Sequence, residues 1–276
     1  MTPSLTVVVA VYNAARYLEL VLCALRRQSM PDFEVVVADD GSGPEIAELL
    51  RTAGEGLLLR HCWQPDEGFR KNRMLNEAVA RSATPYLLFI DGDCVPHRHF
   101  VRDHWLHRRE NAFLCGRRVN LSEPMTRTVT PATIASGAFE RWSAALLFDG
   151  LMARSSNLED AIRIESGALR LLLHRNKARI LGCNFSVSKS WLERINGFNE
   201  EYRGPGIGED TDIAFRLGLA GARAVTLRYL AVLYHLYHPA TRVAEANRAL
   251  YARVVAAREA VCAQGLRGHL LEGVAR

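Results

Sequence analysis

Leu5-Thr6-Val7-Val8-Val9-Ala10-Val11 is β-branched and apolar on both faces. A strand of that composition belongs at the centre of a sheet that helices cover on both sides. Asn13-Ala14 then marks a turn, after which Tyr17, Leu18, Val21, Leu22 and Leu25 recur at spacings of one, three and four. That spacing describes one face of an amphipathic helix, with Arg26 and Arg27 in its last turn, where the helix dipole favours cations.

Outward from this unit the pattern repeats. Phe33 to Ala38, Leu57 to Cys62 and Tyr86 to Ile90 read as strands, and Glu45 to Arg51 and Arg70 to Arg81 as the helices between them. Such alternation predicts an α/β fold with a doubly wound, mostly parallel central sheet, whose ligands bind beyond the carboxyl ends of the strands. Three polar groups fall there: Tyr12-Asn13, Asp39-Asp40-Gly41-Ser42 and Asp91-Gly92-Asp93. The first strand–helix turn lacks the GxGxxG fingerprint, which speaks against a nicotinamide-dependent oxidoreductase.

From about Ser122 to Arg179 the periodicity is helical but irregular. The block Gly182-Cys183-Asn184-Phe185-Ser186-Val187-Ser188 follows, then a helix, Gly197-Phe198-Asn199-Glu200-Glu201 and the glycine-rich run Gly204-Pro205-Gly206-Ile207-Gly208. Glu209-Asp210-Thr211-Asp212 opens another helix, and a last helix is expected from roughly Ala240 to Ala263. The expected divisions are 1–120, 121–239 with a helical insertion at about 122–180, and a helical extension at 240–276.

With 49% hydrophobic, 8% aromatic and 24% charged residues, the chain is neither disordered, collagenous nor repeat-dominated. Its formal charge of +5 suits a nucleotide diphosphate, an anionic lipid or a nucleic acid, and equally a plain basic surface. Cys23, Cys62, Cys94, Cys115, Cys183 and Cys262 form no CxxC pair, which argues against a zinc ribbon or a disulfide scaffold and for a reducing cytoplasm. The apolar run at residues 5–11 is too short for a signal peptide, and no stretch approaches the roughly 18–20 apolar residues that cross a bilayer.

Each acidic group has a bland reading beside a chemical one. Asp91 and Asp93 stand on alternate positions at a strand end, so both can reach one point; hard oxygen ligands of this kind suit magnesium or manganese, though Asp and Gly are also turn residues. Asp40 could accept a base N–H or serve a turn, and Arg70 could supply a planar donor for base or phosphate. Glu209, Asp210 and Asp212 lie where a helix dipole favours acids, yet the glycines before them suit a loop that closes over a substrate. His97, His99, His104 and His107 read as residues of a solvated helix face.

In order and spacing these motifs resemble the family-2 glycosyltransferases of GT-A fold. The likeness runs through Val11-Tyr12-Asn13, Asp39-Asp40-Gly41-Ser42, Gly68-Phe69-Arg70 and Leu88-Phe89-Ile90-Asp91-Gly92-Asp93. Gly182 to Asn184, Asn196-Gly197-Phe198-Asn199-Glu200 and Gly208-Glu209-Asp210-Thr211-Asp212 look like the galactosyltransferase-type C-terminal segment of some members. The resemblance implies that Ala10, Tyr12, Asp40 and Arg70 hold a uridine, Tyr12 by stacking and Asp40 by accepting the base N–H. Asp91 and Asp93 match the DxD element, with Asp93 the direct metal ligand, and Asp210 matches the general base, with Glu209 a neighbouring acceptor contact. A histidine metal ligand is expected after the acidic helix at His235 or His238, with His235 favoured. The family's glycine-rich loop often carries a Trp; this chain has none there.

The expected activity is inverting transfer of a hexose or N-acetylhexosamine from a UDP-sugar to a glycan or glycolipid in bacterial surface polysaccharide synthesis. Residues 1–120 would bind the nucleotide sugar and 121–239 the acceptor, with manganese or magnesium as cofactor and no nucleic-acid partner. An inactive nucleotide-sugar-binding relative is the alternative. A cytoplasmic location is expected, with peripheral contact at the inner face of the membrane through the variable segment or the last helix, where Arg242, Arg248, Arg253, Arg258 and Arg267 accompany Val243, Leu250, Val254, Val255 and Val261.

Overall fold

The computed structural model describes residues 3–141, 144–152, 154–173, 178–239 and 244–274. In chain order the elements are β1 (Leu5–Val11), α1 (Ala15–Arg26), β2 (Phe33–Asp39), α2 (Pro44–Ala53), β3 (Leu58–Trp63), α3 (Lys71–Arg81), β4 (Tyr86–Asp91), β5 (Cys94–Pro96), α4 (Phe100–His107), β6 (Ala112–Cys115) and β7 (Val119–Asn120). The short helices α5 (Glu123–Thr128), α6 (Pro131–Ala135), α7 (Ala144–Leu151) and α8 (Gly167–Leu173) follow. Then come β8 (Phe185–Ser188), α9 (Lys189–Arg194), α10 (Asp210–Leu219), β9 (Arg223–Thr226), β10 (Leu233–His235), α11 (Glu245–Ala257) and α12 (Leu266–Val274).

β1 is buried along its whole length and feeds two cores, because successive side chains leave a strand on opposite faces. Leu5, Val7, Val9 and Val11 join Leu18, Val21, Leu22 and Leu25 of α1 and Ile46 of α2. Val8 and Ala10 face the other way, toward Met74 and Val79 of α3, Phe89, Phe185 and Ile213. Thr6 is the polar exception, satisfied by donating to Glu34 Oε1 at 2.6 Å and lying 2.7 Å from Thr84 Oγ1.

Seven strands lie in the order β3-β2-β1-β4-β8-β6-β9. All neighbours are parallel except β8, which runs antiparallel to both β4 and β6. The expected doubly wound, mostly parallel sheet is thus present, and the chain reverses its direction of winding between β1 and β4. A crevice opens beyond the carboxyl ends of strands at such a reversal. A second sheet, β5-β10-β7, sets Cys94 opposite His235, and Leu236 N donates to Asp93 O at 2.9 Å.

Two expectations need correction. The single last helix is two, α11 and α12, separated at Arg258, which takes a left-handed φ of 53°; residues 240–243 of that expectation lie outside the described residues. Cys262 and Leu266 are buried, and His269 is held between Glu77 of α3 at 2.8 Å and Glu200 at 2.7 Å, so this end of the chain packs on α3 and on the segment after α9. Nor do the four histidines share a solvated face. His104 is fully buried, its ring nitrogens 2.8 Å from Ser186 Oγ and 3.0 Å from Asn184 Oδ1, because α4 turns that face onto β8; His97, His99 and His107 are half-buried.

Candidate active site

The loops after β1 and β2 are stitched together by short polar side chains. Asn13, itself left-handed at φ 47°, donates its N–H to Ser42 Oγ at 2.8 Å and accepts from Gly43 N at 3.1 Å. Gly41 has φ +93°, and a Cβ there would stand 2.6 Å from Asp66 Cα, so only glycine fits. Asp39 is spent inside this turn, on Ser42 N at 2.9 Å and His61 Nε2 at 2.9 Å.

That leaves Asp40 facing the crevice. It accepts from Gln64 Nε2 at 2.5 Å and from Arg70 N at 2.8 Å, and burial pushes its carboxyl above the usual range. Tyr12 is 51% exposed, and its hydroxyl donates to Asp66 at 3.0 Å, leaving the ring open to a flat ligand. Arg70 caps α3 and reaches the Pro65 carbonyl at 2.5 Å, while its buried Nε has no hydrogen-bond partner.

Across the crevice the two acids of Asp91-Gly92-Asp93 part company. Asp93 Oδ2 lies 3.2 Å from His238 Nε2 and 3.7 Å from His235 Nε2, and the two imidazole nitrogens are 3.1 Å apart. Burial alone would raise the Asp93 pKa, but the histidines bring it down to about 2, and its bond to Asp93 lifts His238 to about 8. His238 donates Nδ1–H to the Pro239 carbonyl at 2.9 Å, which turns Nε2 inward. A carboxylate oxygen and two imidazole nitrogens converging this way fit a divalent cation such as manganese, with the tautomer of one ligand fixed from behind. Both histidines of the sequence expectation face Asp93, and His238, not the favoured His235, stands the closer to it.

Asp91 turns to another partner, Lys71, whose Nζ is 2.6 Å from Asp91 Oδ1 and 2.8 Å from Glu209 Oε2. Glu209 reaches it because residue 182 is glycine: a Cβ there would lie 2.2 Å from Glu209 Oε1. Burial disfavours the charge on Lys71, yet the two carboxylates outweigh it and hold its pKa well above normal; burial likewise lifts Glu209 to about 7 against the pull of Lys71. Asp210, the first residue of α10, accepts from Thr211 Oγ1 at 3.2 Å, and among the described residues no cation pairs with it. Asp212 is buried against Arg216 at 2.7 Å and is structural.

Lys71 and Arg118 escape a reading of the sequence, because a lone cation in a helical or loop pattern carries no signal. Arg118 follows β6 and donates to Cys183 Sγ at 3.6 Å. Of the apolar residues named for the C-terminal extension, Leu250 is buried while Val255 and Val261 are 39% and 40% exposed; in the variable segment, α7 and α8 carry Leu151, Leu171 and Leu172 at 82%, 79% and 80% exposure. Among the described residues no helix is long and apolar enough to cross a membrane.

Comparison with known proteins bears on this geometry. A chondroitin synthase of Escherichia coli is 26% identical over 228 residues, covering 77% of this chain but 32% of its own length. A hyaluronan synthase of Pasteurella multocida is 24% identical over 248 residues, 85% of this chain and 25% of its own. The chain therefore spans about a third or less of these relatives. Among solved structures, S. aureus TarS 1-349 in complex with UDP-GlcNAc superposes with a TM-score of 0.63 at 17% identity, covering 98% of this chain and 71% of that one. A mannosyltransferase of Pyrobaculum calidifontis in complex with GDP-Man and Mn2+ gives 0.56 at 21% identity over 86% and 57%. The fold is GT-A. Residues 169–239 match a model described as the N-terminal domain of galactosyltransferase. Residues 6–171 match the model of glycosyl transferase family 2, more than half of the chain, and with the crevice above this establishes that the protein belongs to that family.

Proposed function

We propose that this chain transfers a hexose or N-acetylhexosamine from a UDP-sugar to a glycan or glycolipid acceptor with inversion. The observation that carries the reading is the placement, beyond the ends of β1, β2 and β4, of Asp40 and Tyr12 for the base, Asp93 with His235 and His238 for a cation, and Glu209, which Lys71 joins to Asp91 and which is next in sequence to Asp210. The unpartnered Nε of Arg70 supports a ligand on the same side. The names of the relatives, chondroitin and hyaluronan synthases, support a glycan product.

In this reading Asp40 accepts the uracil N–H and Tyr12 stacks on the ring. Asp210 takes the proton of an acceptor hydroxyl, whose oxygen attacks the anomeric carbon from the face opposite the diphosphate; one displacement inverts the centre. Glu209, held by Lys71, accepts a second hydroxyl of the acceptor. A divalent cation held by Asp93, His235 and His238 would neutralise charge on the departing UDP. A purely nucleotide-binding role sits poorly with Asp210, a carboxylate next to Glu209 that pairs with no cation among the described residues.

A panel of UDP-sugars, assayed by UDP release with and without manganese and with glycan and glycolipid acceptors, tests the reading. Metal-dependent release from a UDP-sugar supports it, and release only from a GDP- or dTDP-sugar overturns it. For a lipid-linked acceptor in surface polysaccharide synthesis, the exposed leucines of α7 and α8 are the peripheral contact we favour. Flotation with phosphatidylglycerol vesicles that is lost in Leu171→Asp/Leu172→Asp supports that contact, and no flotation at low salt removes it.

A further inference from the structure

We infer that Lys71 is a positioning residue that couples the donor side of the crevice to the acceptor side, holding Glu209, and with it the start of α10, in register with Asp91. The inference rests on the donor and base assignments above and goes beyond them by giving a role to a residue outside both motifs.

Lys71 is the first residue of α3. A cation there opposes the helix dipole, which favours acids in a first turn. It is also removed from water, its side chain 18% exposed. Buried ion pairs contribute little net stability, since desolvation consumes most of the Coulombic gain. Folding alone thus gives no reason for an ammonium at this point. The position is nevertheless specified from three directions: Asp91 ends β4, Glu209 precedes α10, and Gly182 clears the space that lets Glu209 in.

The two acids of the DxD element therefore have separate duties. Asp93 faces the histidines; Asp91 faces Lys71, through which it is joined to Glu209. Glu209 is covalently next to Asp210 and directly follows the glycine-rich loop, whose Gly206 and Gly208 have φ of +97° and +130°. A charge that arrives beside Asp91 with the donor shifts the share of the ammonium between its two carboxylates, and Glu209 carries that change into the loop and the base. No covalent step is involved; Lys71 acts through Glu209 and is not itself a catalytic residue.

Hydrogen exchange of residues 204–212, with and without UDP plus manganese, tests the coupling in the full chain. In the wild type the nucleotide should change exchange in this segment. Lys71→Met should still bind UDP within about fivefold by calorimetry and lose that response, while UDP release from the donor falls about 30-fold in kcat with donor KM within about threefold. Lys71→Arg should restore the response. Glu209→Gln breaks the link from its other end, keeps the test available should Lys71→Met fail to fold, and should not be worsened further by Lys71→Met. An unchanged nucleotide response in both variants overturns the inference, as does loss of UDP binding in Lys71→Met alone. A wild type that binds no uridine nucleotide would instead defeat the donor reading, and this inference with it.

Discussion

His238 Nε2 stands 3.2 Å from Asp93 Oδ2, although the two residues are far apart in the chain. The small sheet makes this possible. Pairing of Cys94 with His235 fixes where the chain after β10 passes Asp93, so this group of one carboxylate and two imidazoles is assembled by backbone register rather than by side-chain reach.

UDP with manganese should stabilise the wild type by about 2.7 kcal/mol at a hundredfold excess over the dissociation constant. Asp93→Ala should abolish the metal-dependent part of that gain, and His238→Ala and His235→Ala should each weaken manganese binding. A melting temperature that rises equally in Asp93→Ala would place the cation elsewhere.

Asp210→Asn should retain UDP binding and lose turnover by about 10²–10⁴-fold, the range over which a positioned base contributes. Calorimetry together with UDP-release kinetics separates the two. Wild-type transfer to a verified acceptor would move the base assignment away from Asp210. Asp212 would not inherit it, since that carboxylate is buried and committed to Arg216.

Arg216→Ala should cost about 3–5 kcal/mol, because it strands the buried Asp212 carboxylate without its counter-charge. Arg216 also donates to the carbonyls of Ile195 at 2.8 Å and Gly197 at 2.7 Å, tying α10 to the turn after α9. Urea denaturation measures the loss; a change below about 1 kcal/mol would mean that the turn holds without it.

His269 gives the fold a pH dependence of known sign. Burial lowers its pKa, but Glu200 and Glu77 outweigh burial and raise it above 6.5. A raised pKa means stabilisation that is complete below pH 6.5 and is lost as pH climbs through the folded value. Glu77 and Glu200, lowered from 4.5, work in the opposite sense and lose their contribution as pH falls through their folded values. His269→Gln should therefore cost about 2 kcal/mol below pH 6.5, a cost that shrinks as pH climbs through the raised folded pKa. A cost that grows with pH would contradict the assignment.

Much of this fold could be read without coordinates, for a physical reason. A strand buried on both faces must be apolar throughout, and a helix on such a sheet must show its stripe, so β1, β2, β4 and α1 to α3 announce themselves, while β3, a mostly exposed edge strand, is marked by its place in the alternation. The strands of the small sheet are two or three residues long and too short to carry a period. The break between α11 and α12 uses a left-handed arginine instead of the glycine that would have marked it. His104 was hidden because its ring is satisfied by Ser186 and Asn184, partners far away in the chain. Asp40, Asp93 and Asp210 were legible as acids at strand or helix ends; Lys71 was not, since its meaning lies in two carboxylates that only the folded chain brings to it.

The helical excursion leaves the scaffold after β7 and returns at β8, and each end is fastened by pairing to a strand outside the excursion, β10 for one and β4 for the other. Closing a longer excursion between fixed points costs only about 0.6 kcal/mol per doubling of length. Its ends are not its only attachments, since Val129, Ile134, Leu146 and Ala161 share the core of β1 and α1 and Arg163 pairs with Asp103 at 2.7 Å; a stretch grafted from another family member would therefore have to bring matching apolar anchors before it could change what the neighbouring surface meets.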